Sequence, residues 1–126
     1  MNIIRARETK GNVETAEKIE RILKAMKDKK AFDIVTIDVN GRTSVCDFFV
    51  VASANNVIQT HAVAEKVEED LAKEGESALR VEGGRGAKWI AMDYSDVIVH
   101  VFEKETRAEY NIERLWNTGD NLRPAE

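Results

Sequence analysis

The run from Trp89 to Phe102, WIAMDYSDVIVHVF, constrains this chain more than any other stretch. Its second half, Val97 to Phe102, is apolar at every position except His100. Such an unbroken run suits a strand covered on both faces. In the first half the two-residue period of a strand puts Trp89, Ala91 and Asp93 on one side and Ile90, Met92 and Tyr94 on the other. Tyr94-Ser95-Asp96 reads as the tight turn between two strands, with aspartate in its usual local hydrogen-bonding role. One side of the first strand must cover the core. If Ile90 and Met92 do so, Trp89 and Asp93 face a partner or a helix. Tryptophan offers a large contact area at low rotamer cost, which is why it recurs in interface hot spots.

The rest of the chain reads as elements gathered around that pair of strands. Val13 to Lys29 is expected to be a helix capped by Asn12. Ala16, Ile19, Ile22, Leu23 and Met26 fall within about 120° of its circumference. Phe32 to Val39 is rich in β-branched residues and reads as a strand. A turn at Asn40-Gly41 and a broad loop lead to a second strand, Phe48 to Ala52. Asn55-Asn56 opens a helix from Val57 to about Glu74, with Ile58, Ala62, Val67 and Leu71 on its buried side and Gly75 ending it in the left-handed conformation. Ala78 to Glu82 is a short strand, and Gly83-Gly84-Arg85-Gly86 is the loop into Trp89. A last helix follows Phe102, with Thr106 and Glu109 at capping-box spacing, and takes apolar area from Tyr110, Leu115 and Trp116. The order α-β-β-α-β-β-β-α predicts an α+β fold, a single mixed sheet of about five strands covered by helices. Residues 1–12 read as a short flexible arm, 13–116 as the domain, and 117–126 as a polar tail that frays.

Composition narrows the function classes. At 126 residues the chain suits one domain, and its 43% hydrophobic content is ordinary for a folded protein. The lone Cys46 permits no intrachain disulfide and favours a reducing compartment. No apolar run approaches the roughly 20 residues of a membrane helix, so a cytoplasmic protein is expected. The net charge of −4 gives no basic surplus for naked nucleic acid. An acidic chain can instead dock on a basic protein of a nucleic-acid machine.

The residues that could carry chemistry have simpler explanations. Cys46 with His61 or His100 would need hydrogen-bond reach that nothing in the spacing provides. The Gly83–Gly86 loop lacks the phosphate-loop pattern and does not open a helix. Asp38, Asp47, Asp93 and Asp96 could hold magnesium only by converging, whereas turn roles account for Asp93 and Asp96. His100 reads as a satisfied core or rim histidine with Asp93 or Glu103 as its partner. Neither a metal nor a cofactor is expected.

Several motifs in one order are familiar. Asp33-Ile34-Val35, Asp47 to Ser53 (DFFVVAS), Leu79 to Gly83 (LRVEG), Trp89 to Phe102 and Tyr110 to Trp116 (YNIERLW) together resemble the ribosomal silencing factor family, also called Iojap-like. The resemblance runs from about Val13 to Trp116. It implies a small domain related to the nucleotidyltransferase fold but without evident transferase chemistry, hence no enzyme. It also implies binding to the large ribosomal subunit through its fourteenth protein. Bound there, the factor sterically blocks joining of the small subunit and represses translation, especially under starvation. Homodimers are a further family trait.

Carried onto this chain, the resemblance nominates Trp89, Met92, Asp93 and Tyr94 for the ribosomal contact, on the face opposite the helices. Arg80, Glu82, Asp96 and His100 form a second rank that could instead organise the sheet edge. Two departures stand out. Ala54 follows Ala-Ser where the family often has glycine, and Ile58 stands where a basic residue is common. A magnesium-dependent nucleotidyltransferase and a large-subunit assembly factor are the competing functional readings.

Overall fold

The computed structural model describes residues 14–125. The expected cap Asn12, the helix start at Val13 and the arm 1–12 lie outside the described residues. Helix α1 spans Thr15–Asp28 with Glu14 at its N-cap. Strands β1, Phe32–Asp38, and β2, Phe48–Ala54, follow, then helix α2, Val57–Ala72. Strands β3, Arg80–Glu82, β4, Trp89–Asp93, and β5, Val97–Glu103, come next. Helices α3, Lys104–Tyr110, and α4, Ile112–Trp116, lead to a last strand β6, Leu122–Pro124.

The sheet has six strands in the order β3-β4-β5-β2-β1-β6. β2 and β5 run parallel at its centre, and the other neighbours are antiparallel. The mixed α+β sheet is as expected; the sixth strand is an addition. The tail expected to fray returns to the sheet, with Ile37 opposite Leu122 and Val35 opposite Pro124. Asn121 pins it by donating Nδ2–H to the carbonyls of Asp38 and Trp116, both at 2.8 Å. Pro124 sits on an edge strand, where its missing donor costs no ladder bond.

Alternation along β5 explains both faces of the core. Val97, Val99 and Val101 join Val50, Ala52, Ile90 and Met92 beneath α1 and α2. Phe102 lies on the opposite face with Ile37, Phe49 and Val51, where Ile112 and Trp116 of α4 pack. Two helix faces differ from expectation. Ile58 is 82% exposed, and the buried side of α2 is Thr60, Val63, Ala64, Val67 and Leu71. On α1 the exposed Ala16 yields to the buried Lys18, whose charge is met inside. Gly75 does end α2 with a φ of +83°.

Caps are also reassigned. Glu103, not Thr106, caps α3; its carboxylate accepts from the Thr106 backbone N–H at 3.2 Å and hydroxyl at 2.9 Å. In the glycine loop, Gly83 alone is sterically fixed. Its φ is +109°, and a Cβ there would stand 2.5 Å from the Trp89 carbonyl oxygen. The glycine lets the loop backbone pass directly over the start of β4.

Candidate docking face

The register across the sheet sorts the nominated residues by face. Arg80 lies opposite Asp93 and Glu82 opposite Ala91. Asp93 in turn lies opposite Ile98, Ala91 opposite His100, and Trp89 opposite Phe102. All of these sit on the side away from α1 and α2, as the period-two reading of Trp89 and Asp93 requires once Ile90 and Met92 are inside. Tyr110, Ile112 and Trp116 shield Phe102, Phe49 and Val51 on this side. Arg80 and Glu82 remain exposed, while Trp89, Ala91, Asp93 and Ile98 are half-buried.

Three nominated residues do not belong to that face. Met92 is 1% exposed and Tyr94 2%, both within the core beneath the helices. They share the pleat direction of Ile90, so a partner on the open face cannot reach them. Burial pushes the Tyr94 hydroxyl well above its ordinary range, with Glu68 and Glu76 adding to the effect. Asp96 is 3% exposed and is also spent internally. Its carboxylate takes the Lys18 ammonium at 2.7 Å and the Thr15 hydroxyl, fastening α1 to the β4–β5 turn. Asp93 has a local task as well: it accepts the Ser95 N–H at 2.8 Å, holding a turn residue with φ +80°.

His100 pairs with neither Asp93 nor Glu103. Its Nδ1 accepts the indole N–H of Trp89 at 3.1 Å. The two are diagonal neighbours across the β4–β5 ladder, within reach for long side chains. Around them runs a continuous aromatic layer. Trp89 stacks on Phe102 with centroids 4.8 Å apart and meets Tyr110 at 4.9 Å. Phe49 stands edge-on to His100 at 4.9 Å and to Trp116 at 5.4 Å. Such offset and edge contacts suit the ring quadrupoles. The layer was only partly visible in the sequence, since Tyr110 and Phe49 meet Trp89 and His100 from distant elements.

Burial among these rings lowers His100 to about 4 from its ordinary value of 6.5. The imidazole is therefore neutral at pH 7. With Nδ1 accepting, the proton sits on Nε2, a buried atom with no protein partner among the described residues. Between about pH 6.5 and about 4 the unfolded chain binds a proton that the folded chain refuses. Stability should therefore fall as pH falls through that window, by up to about 3 kcal/mol. Urea unfolding of the wild type against His100→Asn measures it; a stability difference that does not change between pH 7 and pH 4 contradicts the assignment.

The other candidates for chemistry do not converge. Burial, first, and then the Asp47 and Asp93 charges push the Cys46 thiol up to about 12, the reverse of an activated nucleophile. Asp38 accepts the Asn40 backbone N–H and Asp47 the Asn40 side-chain amide. Among the described residues no group of three or more His, Cys, Asp or Glu side chains could hold a metal ion. No helix among them is long and apolar enough to cross a membrane.

A buried cation with several partners lies elsewhere, on α3. Arg107 donates from Nη1 to the Asp33 carbonyl at 2.5 Å and to Ser53 Oγ at 2.9 Å. Its Nε and Nη2 take the Glu113 carboxylate at 2.8 and 2.6 Å. Asp33 has a φ of +50° where the β1–β2 register shifts, so Arg107 ties an irregular stretch of β1 to β2 and α4. This is a structural clamp, and a different part of the molecule from the docking face.

Comparison with known proteins agrees with this architecture. A ribosomal silencing factor from Halalkalibacterium halodurans is 36% identical over 100 residues, covering 79% of this chain and 86% of that protein. A crystal structure of a protein from Chromobacterium violaceum superposes with a TM-score of 0.80 at 32% identity, covering 82% of this chain and 87% of that one. A mouse protein named for mitochondrial assembly of the ribosomal large subunit is 26% identical over 101 residues, which cover 78% of this chain and 44% of the mouse protein. The family model described as "Ribosomal silencing factor during starvation" matches residues 12–125, and with that match over nearly the whole chain the protein belongs to the ribosomal silencing factor family.

Proposed function

We propose that this protein represses translation by binding the large ribosomal subunit through its fourteenth protein, where its bulk blocks joining of the small subunit. The observation that carries the reading is the half-buried Trp89 on the sheet face away from α1 and α2, in a chain of this family. That face offers an aromatic centre with polar residues, Arg80, Glu82 and Asp93, at its margin, the usual anatomy of a protein contact. The net charge of −4 favours a basic ribosomal protein over bare RNA. The mechanism needs no reaction. Two bodies compete for one surface, and occupancy follows mass action.

On this reading the contact is carried by Trp89 and Asp93, with Arg80 and Glu82 beside them and Ile98 as an addition. Met92, Tyr94 and Asp96 support that surface from within. Replacing Trp89 with alanine should weaken binding to purified large subunits by about 2 kcal/mol, roughly thirtyfold, if it anchors the contact. Co-sedimentation across a concentration series measures this, with isolated fourteenth protein added as competitor. A folded Trp89→Ala protein that binds as the wild type does removes this face from the contact. Failure of the isolated protein to compete removes that partner.

A second reading, assistance in large-subunit assembly, draws on the name of the mouse relative. It predicts that the protein accumulates on precursor particles and is absent from mature subunits. Self-association is a companion proposal, for which the exposed Ile58 at the start of α2 offers apolar area, and sedimentation equilibrium tests it.

A further inference from the structure

We propose that His100 is a positioning residue for the contact: by accepting the indole N–H of Trp89, it fixes the ring's tilt and leaves only carbon for the partner to meet. The inference rests on the reading of the Trp89 face given above, and it specifies the chemistry of what docks there.

Indole has one polar atom, and it can only donate. Here that donor is spent inside the sheet, 3.1 Å from Nδ1 of His100. The ring is held on its other sides by Phe102 and Tyr110. His100 is itself held, with Phe49 edge-on to its ring and only 8% of the residue exposed. A half-buried tryptophan with a free N–H would turn to find an acceptor on the partner or in water. Trp89 does not have that choice. The matching group on the partner is therefore an aliphatic side chain or the methylene stem of a lysine or arginine, not a carbonyl or carboxylate oxygen. A long basic stem fits best, because its charged end can extend toward Glu82 and Asp93 at the margin of the same face. An imidazole in this place also resists charging, since burial among rings disfavours the cation that would turn Nδ1 into a donor.

Three full-length variants test this with purified large subunits. His100→Phe keeps a ring and removes the acceptor. His100→Asn puts an amide oxygen near the place of Nδ1. Trp89→Phe keeps an aromatic ring and removes the donor. His100→Phe should weaken binding about tenfold, the loss of one ordering hydrogen bond with some ring freedom added. His100→Asn should recover most of that loss. Adding Trp89→Phe to His100→Phe should cost less than the two single effects combined, because both break the same bond.

A spectroscopic arm separates positioning from general destabilisation. The Trp89 indole proton, assigned in a Trp116→Phe background, should exchange slowly with water in the wild type and in His100→Asn, and quickly in His100→Phe. Wild-type binding that His100→Phe leaves intact overturns the inference while leaving the functional reading in place. Failure of the wild type to bind overturns the functional reading, and the exchange rates still decide whether His100 holds the indole. Should His100→Phe not fold, fast exchange of the Trp89 indole proton in the wild type is sufficient to overturn the inference.

Discussion

Replacing Asp96 with asparagine is expected to lower the stability of this protein by about 3 kcal/mol. The reason is the company Asp96 keeps. Its carboxylate lies 2.7 Å from the ammonium of Lys18, and the two side chains are 4% and 6% exposed. Glu76 stands 3.3 Å from the same ammonium with a side-chain exposure of 8%. Removing the Asp96 charge leaves Lys18 buried with its more distant partner and one carboxylate fewer. Uncompensated buried charge is the costly part, not the loss of Coulomb attraction as such. Glu76 moderates the effect, because one of its buried oxygens has no hydrogen-bond partner among the described residues and can serve the ammonium instead. Urea denaturation measures the change; a loss below about 1 kcal/mol means that Glu76, with the Tyr94 carbonyl 3.3 Å from the same ammonium, satisfies Lys18. The double variant Lys18→Met with Asp96→Asn should be less destabilised than the sum of the singles, since the second change removes the charge the first one stranded.

Arg107→Met is expected to cost a similar amount, about 3 kcal/mol, and to lower the melting temperature by about 10 °C. Methionine replaces the apolar stem but none of the donors. Asp33 loses the donor to its carbonyl at the irregular point of β1, Ser53 loses its donor on β2, and Glu113 keeps a charge with 20% of its side chain exposed. Arg107→Lys should recover little, because an ammonium cannot serve a carboxylate, a carbonyl and a hydroxyl from one planar fork. Differential scanning calorimetry decides it. A lysine variant as stable as the wild type would show that charge alone, without the fork, holds the clamp.

These two residues also mark where sequence stops being informative. Lys18 and Arg107 look like ordinary solvated cations on amphipathic helices. Their partners come from positions 76 and 96, and from 33, 53 and 113, and no local period links such distances. Strand alternation was legible, by contrast, because a two-residue period is a local property. It puts Trp89 and Asp93 on the face opposite Ile90 and Met92, while the unbroken apolar run of Val97 to Phe102 assigns β5 to the centre of the sheet. The same period shows why the nominated contact could not hold together. Trp89, Met92, Asp93 and Tyr94 are near one another in sequence, but a strand sends Met92 and Tyr94 the other way.

Helix phase was less legible. Ile58 lies on the side of α2 opposite Thr60, Val63, Val67 and Leu71, so its apolar side chain stays in water. β6 was missed because a polar segment ending in proline has neither alternation nor β-branched residues. Its place depends on Asn121 and on the unpaired edge of β1, both supplied by the fold. The Trp89–His100 bond carries a sequence signal: two polar-capable rings on facing strands, two residues out of register and therefore on the same side.

The central claim is that the Trp89 face occupies the surface the small subunit needs. Light scattering of purified subunits, mixed with and without the protein, tests it most directly. The account predicts that wild-type protein prebound to large subunits reduces joining in proportion to its occupancy, and that a folded Trp89→Ala protein at the same concentration leaves joining largely intact. Undiminished joining at large subunits saturated with wild-type protein would contradict it.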